Sequence, residues 1–64
     1  MTFGEKLRTL REERGFKQYG LAQKVGIPPC LLSRYENDLT QPTLEQIKKL
    51  CKALKVSSTE LLGF

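Results

Sequence analysis

The 64-residue sequence predicts an all-α fold of five short helices. Apolar residues recur at intervals of three and four along most of the chain, the spacing that lines one face of a helix. The segments with that spacing carry helix punctuation. Thr2, Thr43 and Ser57 each stand three residues before a Glu or Gln, and Gly15, Gly26 and Gly63 stand where three of the segments stop. No stretch alternates apolar and polar residues for long enough to make a strand.

Thr2-Phe3-Gly4-Glu5 has the form of a capping box, with a Thr N-cap and a Glu that reaches back to it. Phe3, Leu7 and Leu10 then repeat at helical spacing, so the first helix spans Phe3 to about Arg14. The second starts near Gln18 and ends at Gly26. The third opens at Pro28-Pro29, where a proline in the first turn forfeits no helical hydrogen bond, and closes near Asn37. A loop from Asp38 to Pro42 leads into a second capping box, Thr43-Leu44-Glu45-Gln46. Leu44, Ile47, Leu50, Cys51 and Leu54 then form the apolar stripe of a fourth helix. A third box, Ser57-Ser58-Thr59-Glu60, starts a short fifth helix that ends at Gly63.

At 39% apolar and 28% charged residues, the composition suits an ordinary globule with one small core, and residues 1–64 read as a single domain. No apolar run approaches a membrane span, and the start, MTFGEKLRTLR, lacks the apolar stretch of a signal peptide. A cytoplasmic location with no membrane partner is expected. Catalysis is not expected. The chain has no histidine, and Cys30 and Cys51 stand 21 residues apart without a CxxC pair, too few ligands for zinc. The glycines match no dinucleotide or phosphate-loop pattern, so no cofactor is expected either. A net charge of +4, from 11 basic and 7 acidic residues, permits binding to a polyanion without requiring it.

Function is most legible between Gln18 and Asn37, QYGLAQKVGIPPCLLSRYEN. Two helical patterns there are separated by only Gly26, Ile27 and Pro28. So short a turn cannot lay two helices antiparallel. It makes them cross steeply, with Leu21, Ala22, Val25, Ile27, Leu32 and Tyr35 facing a shared core. That is a helix-turn-helix, whose second helix protrudes far enough to enter a DNA major groove.

The chain resembles the Cro and phage-repressor type (XRE-like) family of helix-turn-helix domains. The resemblance is carried by Gln18, Leu21-Ala22-Gln23-Lys24-Val25-Gly26-Ile27, Ser33-Arg34-Tyr35-Glu36-Asn37 and Pro42-Thr43-Leu44-Glu45. The tail from Ala53-Leu54-Lys55-Val56-Ser57 to Leu61-Leu62 completes it. It covers nearly the whole chain and implies a five-helix, lambda-repressor-like domain with the helix-turn-helix at helices two and three. The implied function is sequence-specific binding of double-stranded DNA through the major groove, as a repressor acting as a homodimer on a palindromic operator.

The family's residue roles map onto this sequence position by position. Gln18 takes the place of a glutamine that touches a phosphate and props the recognition helix. Arg11 and Glu36 take the places of a partly buried ion pair joining the first helix to the third. Asn37 corresponds to an asparagine near the DNA backbone, and a plain helix C-cap is the alternative. The base-reading positions fall on Pro28, Pro29, Cys30, Leu31 and Arg34. Only Arg34 has the forked donor that grips the O6 and N7 atoms of guanine. Lys17, Gln18, Lys24, Arg34 and Arg14 are the candidates for phosphate contact.

Several positions depart from the family pattern. Relatives usually place polar side chains where this chain has Pro28, Pro29, Cys30 and Leu31. With Leu32 and Tyr35 turned to the core, Leu31 should face outward or sit half exposed, where it would meet either thymine methyls or a protein. Many relatives carry Lys or Arg after the Glu-Asn pair, where this chain has Asp38-Leu39-Thr40-Gln41, and Gly20 replaces a usual Glu. An antitoxin-like or oligomerisation module with weak or no DNA reading is therefore the alternative. Lys48, Lys49, Lys52 and Lys55 read as the solvated face of the fourth helix, and Cys51 as core. Cys30 reads as a surface thiol, with redox sensing as the other possibility. Leu39 and Ser57 to Phe64 are the candidate dimer surface.

Overall fold

The computed structural model describes residues 2–62, which form α1 (Phe3–Glu13), α2 (Gln18–Val25), α3 (Pro29–Glu36), α4 (Leu44–Leu54) and α5 (Ser58–Leu62). Among the described residues there is no strand. Gly63, the expected stop of the last helix, lies outside them, as does Phe64.

The caps differ in completeness. At α1 both halves of the box form: Glu5 N–H donates to Thr2 Oγ1 at 3.1 Å, and Thr2 N–H to Glu5 Oε1 at 2.9 Å. The Thr2 backbone N–H holds the Glu5 carboxyl below its ordinary range. At α4 only half forms. Gln46 N–H donates to Thr43 Oγ1 at 3.2 Å, while Gln46 Oε1 is buried without a partner. Glu60 N–H likewise donates to Ser57 Oγ at 3.2 Å at the start of α5.

Three helices end in the same paired arrangement, in which the two residues past the end bond back to the last turn. At α1, Phe16 N–H reaches Arg11 O and Gly15 N–H reaches Glu12 O, both at 3.0 Å. At α3 the pair is Leu39 to Arg34 and Asp38 to Tyr35, and at α4 it is Val56 to Cys51 and Lys55 to Lys52. This geometry needs a left-handed residue. In the last two helices it is a non-glycine: Asp38 at φ 59° and Lys55 at φ 57°. The helix-turn-helix turn uses Gly26 instead, at φ 89°, with its N–H on Ala22 O at 2.8 Å. Pro28 is then extended and leads directly into α3.

The helices close into a ring. α1 packs on α3 and α5, α2 on α3 and α4, and α4 on α5. Inside lie six fully buried leucines, Leu7, Leu21, Leu32, Leu50, Leu54 and Leu61, with Ala22, Tyr35, Cys51 and Ala53 around them. Val25, Ile27 and Leu31 are partly buried against this core. α2 is therefore flanked by α3 on one side and α4 on the other.

One close approach sets the α1–α3 contact. A Cβ on Gly4 would lie 2.3 Å from Glu36 O and 2.7 Å from Tyr35 O, so α1 rests on α3 backbone through a position only glycine can fill. Gly20 has no such constraint, since its nearest neighbour would be Phe16 Cδ1 at 4.0 Å. Alanine normally stabilises a helix interior over glycine by about 0.5–1 kcal/mol, whereas forced overpacking costs about 1–3 kcal/mol. The two substitutions should therefore move oppositely in denaturant unfolding. Gly20→Ala raises stability by up to about 1 kcal/mol and Gly4→Ala lowers it; the same sign for both would refute the close contact.

Candidate nucleic-acid interface

Helix α3 is fastened at its C-terminal end. Glu36 is 3% exposed, and its carboxylate is the centre of a polar cluster. Arg11 grips it two-handed, with Nε on Oε2 at 2.7 Å and Nη2 on Oε1 at 3.3 Å, and donates its Nη1 to Phe16 O at 2.9 Å. Gln18 Nε2 donates to Glu36 Oε1 at 3.2 Å, which joins the start of α2 to the same carboxylate. Arg8 adds a longer contact, Nε to Oε1 at 3.4 Å, and reaches Asn37 Oδ1 at 3.5 Å. Sequence reasoning missed Arg8. Its signal was its place one turn before Arg11, on the same helix face.

Asn37 is the C-cap of α3, and its Nδ2 donates to Ser33 O at 2.8 Å. Asp38 follows, and its Oδ1 accepts from Gly4 N–H at 3.0 Å. The acidic residue in the loop thus caps α1 from a distance of 34 residues, where the positive end of the helix dipole favours an anion. Its sign is explained by the fold, and it no longer speaks for a surface that avoids DNA.

The other end of α3 is free. Pro28, Pro29 and Cys30 are exposed there, and Arg34 is exposed on the last turn, while Leu32, Tyr35 and Glu36 on the opposite face are buried. Leu31 is partly buried against the core, the half-exposed of the two placements its sequence position allows. The prolines carry no N–H, and Leu31 N–H turns back to Pro28 O at 3.0 Å, so the tip of the helix presents chiefly apolar surface and a thiol. Arg34 donates Nε to Thr40 Oγ1 at 3.1 Å, and among the described residues its guanidinium makes no other hydrogen bond. Lys17 is exposed at the N-cap of α2 and forms no side-chain cap.

Two phosphate candidates are otherwise occupied. Arg14 donates Nε to Leu54 O at 2.8 Å, tying α1 to the end of α4. Lys24 lies over the Phe16 ring at 5.3 Å from its centroid, on the side of α2 that faces α4. Among the dimer candidates, Leu39 is 68% exposed and Ser57 to Glu60 are exposed, but Leu61 is fully buried in the core.

The helix-turn-helix family model HTH_3 matches residues 7–61. Over 63 residues the chain is 35% identical to the HTH-type transcriptional regulator ImmR of Bacillus subtilis, covering 98% of this chain and 50% of ImmR. It is 33% identical to the antitoxin PezA of Streptococcus pneumoniae over 60 residues, 94% of this chain and 38% of PezA. The chain thus spans half or less of these relatives. The P22 c2 repressor bound to a synthetic operator superimposes with a TM-score of 0.89 at 32% identity, covering 97% of this chain and 94% of that one.

The burial differences make two tests. Removing one partner of a buried ion pair costs roughly 3–5 kcal/mol, while exposed pairs contribute under about 1 kcal/mol. Arg11 is 11% exposed in its side chain and Arg8 48%. Arg11→Met should lower the melting temperature by more than about 10 °C and Arg8→Met by a few degrees, measured by circular dichroism; equal losses would refute the ranking. For the thiols, Cys30 is exposed, whereas burial, with the Glu60 carboxylate second, pushes the Cys51 thiol up. One thiol should react promptly at neutral pH and the second only on unfolding. Because the unfolded chain ionises Cys51 at lower pH than the folded one, stability should also fall as pH rises beyond the ordinary thiol value.

Proposed function

The chain belongs to the helix-turn-helix family HTH_3, and on that premise we propose that it is a sequence-specific, DNA-binding transcriptional regulator, a repressor acting as a dimer on a palindromic operator. The observation that carries this reading is the division of α3, with Glu36 buried under Arg11 and Gln18 at its C-terminal end, Pro28, Pro29 and Cys30 exposed at its N-terminal end, and Arg34 exposed on the outer face of its last turn. A helix held so firmly at one end presents the rest as a rigid edge, and Pro29 to Arg34 is the part that enters the major groove.

The chemistry assigns the contacts. Arg34, steadied by Thr40, offers the terminal nitrogens of its guanidinium to guanine O6 and N7. Pro28, Pro29 and Cys30 meet thymine methyls, and Leu31 supports them from behind. The first turn of α2 has no side-chain cap, so its N–H groups receive a phosphate, with Lys17 beside them. Gln18 acts by bracing Glu36, and Asn37 by closing α3 next to the backbone. With few cations on this edge, affinity falls only shallowly with salt. The operator has two half-sites about 34 Å apart, and the exposed Leu39 and the start of α5 supply the contact between protomers. No described helix is long and apolar enough to cross a membrane, which agrees with a cytoplasmic regulator.

The second reading is an antitoxin-like interaction module, favoured by the apolar tip of α3 and by the likeness to PezA. Selection of genomic fragments at low salt separates the two. Enrichment of a palindromic motif is expected, with Arg34→Ala weakening the selected site by about 1–3 kcal/mol and relaxing its guanine positions. No enrichment over random DNA, together with no effect of Arg34→Ala, would overturn the DNA reading.

A further inference from the structure

On the side of α2 away from α3, the C-terminal halves of α2 and α4 enclose a groove of about 360 Å³ lined by Lys24, Val25, Lys49, Lys52 and Ala53. Sharing Lys24 and Ala53, it continues into a second hollow of about 200 Å³ whose wall adds Phe16 and whose rim adds Arg14 and Lys55. Five cations therefore surround an apolar floor, and among the described residues no carboxylate lines either hollow. The nearest compensation is Glu45, 3.9 Å from Lys49 at the margin and itself 80% exposed.

This arrangement goes beyond a solvated lysine face. A solvated face alternates its charges with polar neighbours, but here cations from two helices converge across an apolar strip. Like charges gathered without counter-charges raise the free energy of the isolated domain, and an anionic partner removes that cost. A phosphate backbone alone would leave the Val25, Phe16 and Ala53 surface unfilled. An occupant with both carboxylates and apolar side chains satisfies the whole groove.

We propose that the α2–α4 groove is a docking site for an acidic amphipathic helix of a partner protein, whose apolar residues seat on Val25 and Ala53 and whose carboxylates meet Lys24, Lys49 and Lys52. Because no residue of α3 lines the groove, such a partner binds while α3 occupies DNA.

The test uses the 64-residue chain, labelled with nitrogen-15, and two synthetic helical peptides of equal negative charge. One carries Glu with Leu at i, i+3 and i+4 spacing; in the other each Leu is Ser. The Leu peptide is expected to shift the amides of Lys24, Val25, Lys52 and Ala53, and to bind at least about tenfold more tightly than its Ser twin. The double variant Lys49→Glu with Lys52→Glu should weaken that binding by at least about tenfold while lowering binding to the selected DNA by much less than Arg34→Ala does. Equal binding of both peptides, shifts elsewhere, no binding, or indifference to the charge reversal would overturn the proposal. So would a loss of DNA binding in the double variant as large as that of Arg34→Ala, since the cations would then belong to the DNA surface.

Discussion

The architecture depends on one buried carboxylate. Glu36 sits in the last turn of α3, shielded from water, and a charge in such a place is tolerable only if its oxygens are fully engaged. Arg11 from α1 and Gln18 from α2 engage them, and Arg8 closes the solvent side. Three helices are thereby fixed by directional bonds around one point. Apolar packing among the six buried leucines supplies the cohesion of the domain, but such packing is tolerant of small slides and rotations. The carboxylate cluster is not. It sets the pitch and register of α3 against α1 and α2, which is what a helix must have if its edge is to meet base pairs in a defined alignment.

The backbone around that cluster reinforces it. Gly4 lets α1 settle against the carbonyls of Tyr35 and Glu36, and the N–H of the same residue is taken up by Asp38. Asp38 holds a left-handed conformation to do so, at a cost that its bonds to α1 and to Tyr35 O offset. The end of α3 and the start of α1 thus form one joint. Strain and desolvation are concentrated there, while the tip of α3 carries neither. The division between a fixed root and an open tip is the physical basis of the functional reading.

The charge distribution follows a second logic. The edge of α3 offers little positive charge, and much of the basic excess gathers across the molecule between α2 and α4. A domain whose only polyanionic partner were DNA would gain from placing those lysines beside the recognition helix, where counterion release strengthens binding. Those lysines and the exposed residues of α3 lie on different surfaces, since no residue of α3 lines the groove.

Residues near one another in sequence announced most of the fold. The intervals of three and four among Leu7, Leu50 and Leu54 and their neighbours, the boxes at Thr2 and Ser57, and Gly26 between two apolar patterns yield five helices and the position of the turn, because helix formation and capping are settled within a few residues. The pairing of Arg11 with Glu36 came only through resemblance. Contacts between distant segments left no local trace. Arg8 with Glu36, Gly4 with Asp38 and Arg14 with Leu54 O join residues 28 to 40 positions apart, and Lys24 of α2 shares a groove with Lys49 and Lys52 of α4. Apart from Arg8, one turn from Arg11 on the same helix face, nothing in the spacing of either partner reveals the other. The helices and their apolar faces were thus determined by the sequence itself; which polar groups meet, and which cations share a groove, was decided only when the ring of helices closed.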